Sequence, residues 1–394
     1  MSRFSRILYG FSLLISKAIS LVGVFIFANY LSVEDISEFS KLQTVAQLLI
    51  PLVSLQLPAA VFRFGRDSEY QSIIGFFYKK SILAICFSLL LLLLLLLLPF
   101  SDICGRSLVI LSVVIASIAL QVNLEKIRSS SKEGIYYQLN LLYVVSYVAL
   151  AITFIVIVDS YIGIFIADII VSSVIILFCQ TKIPHVNPSR FDYHIVPKLF
   201  RYSLPLVSNA LLWWASTSGA ILVADFLIGG NASALVNINL KAALAINTIA
   251  FILSSINQRA LLECHEENAS LYKIALESYI YKSFLMIVIC AIFSYVIFSK
   301  LLFTYYNEYF VSNAFVIINI FSGVMYGFCS IIGVIYICNR RTDLALRTVL
   351  FGVSVTIFLL IYNHKTMGTE ELMQAFLFGF VANLAYRLWH LIRL

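Results

Sequence analysis

The chain has 394 residues, 61% of them hydrophobic and only 12% charged, with a mean hydropathy of +0.96. Soluble domains are typically about 45–50% apolar and about 25% charged, so this composition excludes a water-soluble domain and describes a polytopic membrane protein. The net charge of +7 is not gathered in one basic patch; Lys and Arg recur in short clusters between apolar runs, the signature of membrane topology and not of nucleic-acid binding.

A span needs about 20 apolar residues to cross a ~30 Å hydrocarbon core. The first apolar run is too long for a secretory h-region of about 7–15 residues and reads as a spanning helix with Arg3 and Arg6 at its cytoplasmic end. In chain order twelve spans are predicted, over 7–30, 43–62, 74–98, 107–124, 135–158, 161–179, 200–224, 235–257, 276–298, 311–337, 345–362 and 371–391. Asp159 and Ser160 alone separate the fifth from the sixth, which predicts a tight hairpin. Ten consecutive leucines, Leu89–Leu98, read as lipid-facing filler in the third. With both termini inside and the spans alternating, most of the 27 basic residues fall on the inner side. Lys41, Arg106, Lys300 and Lys365 fall outside, and Lys17 and Lys241 fall within spans.

A gapless shift of 196 residues lays ANYL (28–31) on ADFL (224–227), Ser12 on Ser208, and Arg63 on Arg259. Six spans per repeat is an even number, so both halves start on the same side and are parallel repeats about an axis along the membrane normal. The expected fold is therefore all-α: twelve transmembrane helices in two six-helix lobes, 1–179 and 200–394. A Pro-rich cytoplasmic linker at 180–199, holding Pro184, Pro188 and Pro197, joins them. Lobes of this kind usually meet around a cavity near the midplane.

Polar residues recur at helical spacing in several spans. Span one has Ser12, Ser16, Ser20 and Gly23 with Lys17 beside them; span two has Gln43, Gln47 and Ser54, with Pro51 and Pro58 at kinking positions. Span seven has Asn209, Trp213 and Ser216, and span eight has Asn237, Lys241, Ala245, Thr248 and Ser255. Small and polar residues glue helices together in lipid, and that reading covers the serines. A lysine is different, since insertion costs about 2.5–3.5 kcal/mol at a helix centre. Lys241, roughly 9 Å from the outer end of its span, can snorkel; Lys17 lies near mid-bilayer, where that is harder. Facing a cavity, the two amines would make a cationic interior entered past Arg63 and Arg259 and suited to an anionic cargo, a diphosphate included. Asn209 and Trp213 would suit sugar hydroxyls and C–H faces, with aromatic packing as the plainer role for the tryptophan. Asp168 and Asp225 are the acids nearest the interior. The first could take a coupling cation or pair with a lysine; the second could equally be interfacial. The seven cysteines and five histidines have no metal-ligand spacing, so neither metal nor cofactor is expected.

Two stretches carry a family resemblance. ISLVGVFIFANYLSVEDISEFSKLQTVAQLLIPLVSLQLPAAVFRF (19–64) resembles the start of Wzx-type O-antigen flippases. LFRYSLPLVSNALLWWASTSGAILVADFLIGG (199–230) resembles their YxLPL…LLWW…LG segment. Twelve spans in two lobes also fit the MOP exporter superfamily, to which the MATE transporters and peptidoglycan lipid flippases belong. The resemblance implies a flippase that carries undecaprenyl-diphosphate-linked oligosaccharide across a bacterial inner membrane, from the cytoplasmic to the periplasmic leaflet. Polymerase and chain-length proteins of the same pathway are the implied partners. Lys241 matches a lysine common in that segment and Arg63 the basic end of span two. Where relatives often have an Asp-Arg pair after LLWW, this chain has Ala220 and Ile221. Two alternatives stay open. A MATE-like exporter of small cations would favour buried acids over buried lysines. A membrane polymerase typically has a large external loop with Arg and His, whereas the outer loops here are short.

Overall fold

The computed structural model describes residues 3–65, 68–96, 103–130, 133–182, 195–267, 269–338 and 342–393. Most of the expected linker, 183–194, lies outside the described residues. The described chain is helical, with no strand. Its α-helices are α1 (Arg3–Tyr30), α2 (Val33–Ser54), α3 (Leu57–Phe64), α4 (Gln71–Leu96), α5 (Ile103–Ser129), α6 (Glu133–Val158), α7 (Ile162–Lys182), α8 (Val196–Ser216), α9 (Gly219–Leu227), α10 (Ala232–Glu267), α11 (Ala269–Tyr305), α12 (Asn313–Cys338), α13 (Thr342–Asn363) and α14 (Thr369–Arg393).

Among the described residues eight helices are long and apolar enough to cross a membrane, and ten spans result when each of two bent pairs counts as one. Those pairs are α2 with α3, bent by 52°, and α8 with α9, bent by 47°. With α1, apolar over Leu14–Tyr30, and α14, helices occupy all twelve predicted positions, and ten of those positions are candidate spans. The first bend has a local cause between the two prolines of span two. Leu55 and Gln56 take positive φ, 47° and 56°, and Pro58 in the first turn of α3 has no N–H to continue α2. Helices α10 and α11, of 36 and 37 residues, are each about 54 Å long at 1.5 Å per residue, well beyond a ~30 Å hydrocarbon core.

The chain divides into two compact units, 22–211 and 1–21 with 212–394. In the first, α7 is buried along most of its length and α6 shows most of its surface to the outside. One core joins α4, α5, α6 and α7 through Tyr78, Ile85, Leu120, Ile127, Leu139 and Ile176. A second seats Ala60 and Val61 of α3 against Ile73, Ile74, Val122, Ile195 and Leu199. The α6–α7 connection is the tight hairpin expected: Asp159 takes φ 52°, and a Cβ on Gly163 would sit 2.6 Å from the Phe154 carbonyl carbon. At one end of this unit Glu38 pairs with Lys41 at 2.5 Å and Arg106 at 2.9 Å; elsewhere Lys198 meets Glu69 at 2.6 Å.

In the second unit α9, α10, α12 and α14 share a core of Ala220, Ile221, Val236, Phe315, Leu372 and Phe376. Helices α10 and α12 approach closely because α12 has Gly323 and Gly327 four residues apart. A Cβ at Gly323 would come within 2.7 Å of Ala243 Cα, and one at Gly327 within 3.3 Å of Ala250 Cβ. Small residues at such spacing let helix backbones touch in lipid.

Candidate functional site

The unit 212–394 with 1–21 holds Lys17, Lys241, Trp213, Asp225 and Arg259; the unit 22–211 holds Arg63, Asn209 and Asp168. Lys241 is half-buried on α10, and neither a hydrogen bond nor an ion pair joins it to a described residue. Its helix buries a neighbouring face (Ala242, Ala243, Ile246, Ala250) and exposes Leu244 and Phe251, so the amine lies between packed and lipid-facing surfaces. Lys17 is exposed on α1, likewise without an ion pair among the described residues, beside the buried Ser16. Arg63 is exposed at the end of α3. Arg259 is on α10, with its side chain outside the described residues.

The acids are held differently. Asp168 Oδ1 accepts hydrogen bonds from the Tyr143 hydroxyl at 2.6 Å and the Ser172 hydroxyl at 3.3 Å. Ser172 is one helical turn along α7, and Tyr147 stacks on Tyr143 at 6.0 Å. Asp225, half-buried near the end of α9, engages a neighbour in the structure. The side-chain amide oxygen Oδ1 of Asn209 is buried with no hydrogen-bond partner among the described residues, as are those of Asn239, Asn247 and Asn319. Trp213 packs edge-on against Tyr326, ring centroids 4.6 Å apart, and the Arg387 guanidinium lies 5.6 Å from its ring.

That arginine is the residue sequence reasoning passed over. Arg387 is 2% exposed. Its Nε donates to Thr348 Oγ1 at 3.1 Å and Asn383 Oδ1 at 3.0 Å, and Nη1 donates to the Cys329 carbonyl. The ring of Tyr336 lies 5.6 Å away, and the Tyr336 hydroxyl donates to the Arg387 carbonyl at 3.2 Å. Every acceptor is neutral. No carboxylate pairs with Arg387 among the described residues. A signal existed in the sequence, since Asn383 and Arg387 stand four apart, on one face of α14.

No protein-family model matches the sequence, and no curated protein matches it. Solved structures do. The chain shares the fold of MATE transporters. An outward-facing multidrug-resistance MATE family transporter of the MOP superfamily aligns over 98% of this chain and 93% of its own, with a TM-score of 0.68 at 14% identity. The eukaryotic MATE transporter AtDTX14 aligns over 98% and 93%, with a TM-score of 0.67 at 13% identity. The lipid II flippase MurJ, in an inward closed conformation, aligns over 98% and 87%, with a TM-score of 0.67 at 15% identity.

Within this fold the sign of the charge in the spans is informative. Asp168 has hydroxyl partners and Glu125 has Arg128 at 3.4 Å. Lys241 and Arg387 have no acid partner among the described residues. A cation drawn even partly out of water with no acid beside it attracts anions.

A second polar cluster, in unit 22–211, has no counterpart in the predicted site. Gln180 Nε2 donates to the Tyr78 carbonyl, Ser81 Oγ and Asn123 Oδ1 at 2.8–3.1 Å, and Asn123 donates back to Ser81. Its groups are largely satisfied by one another, which fits a clamp between α4, α5 and α7.

Proposed function

We propose that this chain is a flippase for an undecaprenyl-diphosphate-linked oligosaccharide, an O-antigen or similar repeat unit, moved from the cytoplasmic to the periplasmic leaflet by alternating access. The observation that carries it is the cationic bias inside the spans: Lys241 without an acid partner among the described residues, in a fold shared with a lipid II flippase. Lys241 and Lys17 contact the diphosphate, with Arg63 and Arg259 at the entrance. Asn209 and Trp213 face the sugar. The halves 1–179 and 200–394 are the moving lobes, joined at 180–199. Asp168 is the proposed coupling residue: among the described residues both of its hydrogen bonds fall on Oδ1, so Oδ2 can take a cation or a proton. Asp225 is the second candidate. The setting is a bacterial inner membrane with both termini cytoplasmic, and polymerase and chain-length proteins act next on the product.

The test is leaflet exchange of a fluorescent lipid-linked oligosaccharide by the purified protein in proteoliposomes. Lys241→Ala and Lys17→Ala are each expected to slow exchange by about tenfold, equivalent to about 1.4 kcal/mol. The corresponding Lys→Arg variants should retain more activity. Normal exchange by both alanine variants would refute the cation role. Efflux of organic cations with no exchange of lipid-linked sugar would favour the MATE-like small-molecule reading, and polymer formation without exchange would favour a polymerase.

A further inference from the structure

Arg387 differs from the lysines because its surroundings are a built site. An arginine stays charged at any pH a protein meets. At 2% exposure its charge is withdrawn from solvent, and such a group is normally paired with an acid or coordinated by several acceptors. Here α13 supplies a hydroxyl, α14 an amide oxygen and α12 a backbone carbonyl, all three neutral. The guanidinium has five N–H donors. The three bonds engage Nε and Nη1; Nη2 donates to none of the described residues. Room for the head group comes from Gly333, where a Cβ would stand 3.3 Å from Nη1. The aromatic rings of Trp213 and Tyr336 flank it at 5.6 Å each. The result is an oriented fork fixed by three helices, with no acid beside it and no acceptor on Nη2 among the described residues.

We infer that Arg387 and its three-helix cradle form an oxyanion site that takes a phosphate group. Planar N–H pairs match two phosphate oxygens, and such charge-assisted bonds are about twice as strong as neutral ones. A carboxylate from the chain would have quenched the charge for good; neutral acceptors hold the guanidinium in place and leave the charge available. The phosphate can come from a lipid headgroup or from free phosphate in solution, and the chemistry of recognition is shared. The inference rests on the flippase reading only for the biological source of the anion. Binding itself is separable from transport.

Trp213 is the reporter. The chain has three tryptophans, so Trp214→Phe with Trp389→Phe leaves Trp213 alone, next to the guanidinium. Full-length protein of that background in nanodiscs of phosphatidylcholine is titrated with inorganic diphosphate, and separately prepared in nanodiscs containing a long-chain polyprenyl diphosphate. A saturable change in Trp213 emission is expected in one arm or both. The responding arm identifies the source. Arg387→Lys keeps the charge but loses the fork and should weaken binding by about tenfold. Arg387→Gln should abolish the response. If wild-type background protein shows no saturable response in either arm, the site is refuted, whatever the variants do. A response unchanged in Arg387→Lys refutes it as well. Phosphate binding by a protein that exchanges no lipid-linked sugar keeps this site and removes the flippase reading; exchange with no phosphate response at Trp213 does the reverse.

Discussion

Arg387 and Lys241 are both cations inside spans, and the chain treats them differently. Lys241 sits half-buried without hydrogen bonds to described residues, whereas Arg387 is held by a hydroxyl, an amide and a carbonyl. Charge counting along the sequence puts Arg387 with the inner basic residues because it lies near the end of the last span. Which way a side chain faces depends on neighbours far away in sequence (Thr348 and Cys329), and hydropathy contains nothing about them. Asp168 was legible as an interior acid, and Ser172 at i+4 was in plain view. The Tyr143 partner, 25 residues away, was not. That hydrogen bond gives a residue-scale prediction. A bond to a charged group is worth about 1.5–3 kcal/mol, so Tyr143→Phe should lower stability by about that much in thermal unfolding of the detergent-solubilised protein. Tyr147→Phe should cost less, because Tyr147 contributes ring stacking and no hydrogen bond to Asp168. Equal effects of the two would mean that the Asp168 bond adds nothing.

At the scale of elements, helix existence followed from apolar run length, while the breaks needed the structure. Pro51 and Pro58 marked span two as bent, yet the bend falls between them, at Leu55 and Gln56 in left-handed backbone. Such a conformation costs a non-glycine residue roughly 1–2 kcal/mol. Gln56→Gly should therefore be tolerated or raise the midpoint of thermal unfolding, and a clear fall would show that the Gln56 side chain matters more than its backbone. The α10–α12 contact supplies a ranked prediction. A side chain at Gly323 meets the backbone of Ala243, which cannot yield without moving the helix. At Gly327 the nearest atom, 3.0 Å away, is the end of the Ile287 side chain, which can rotate. Nothing lies within 4 Å of a Cβ at Gly134. Loss of folded protein, read by size-exclusion profile and thermal midpoint, should rank Gly323→Ala worst, Gly327→Ala intermediate and Gly134→Ala neutral or stabilising, as replacing glycine by alanine within a helix favours the helix by about 1 kcal/mol. A neutral Gly323→Ala would mean that the helices do not approach this closely.

At the scale of the molecule, the positive-inside distribution of charge made the span count readable, because one missed crossing would move every later cluster to the wrong side. The compact units were beyond its reach: they cut α1 after Leu21 and α8 after Leu211, inside apolar runs where hydropathy is uniform and only packing distinguishes one residue from the next. Three ion pairs turn the topology into a measurement. Glu38 joins Lys41 of α2 to Arg106 of α5, and Glu69 meets Lys198 just inside α8. Two crossings separate 41 from 106, so both should lie on one face of the membrane. Span two alone separates 41 from 69, so 69 and 198 belong on the opposite face. Single cysteines at 41, 69, 106 and 198, in a background with the seven native cysteines replaced, can be labelled in intact cells with a membrane-impermeant maleimide. Labelling from outside is expected at 41 and 106, with 69 and 198 reached only after permeabilisation. Each pair has to behave as a pair, because ion pairs of 2.5–2.9 Å cannot form across a hydrocarbon core. Labelling 41 and 106 from opposite faces would require an odd number of crossings between them, which is incompatible with α4 and the bent α2–α3 pair as two full spans.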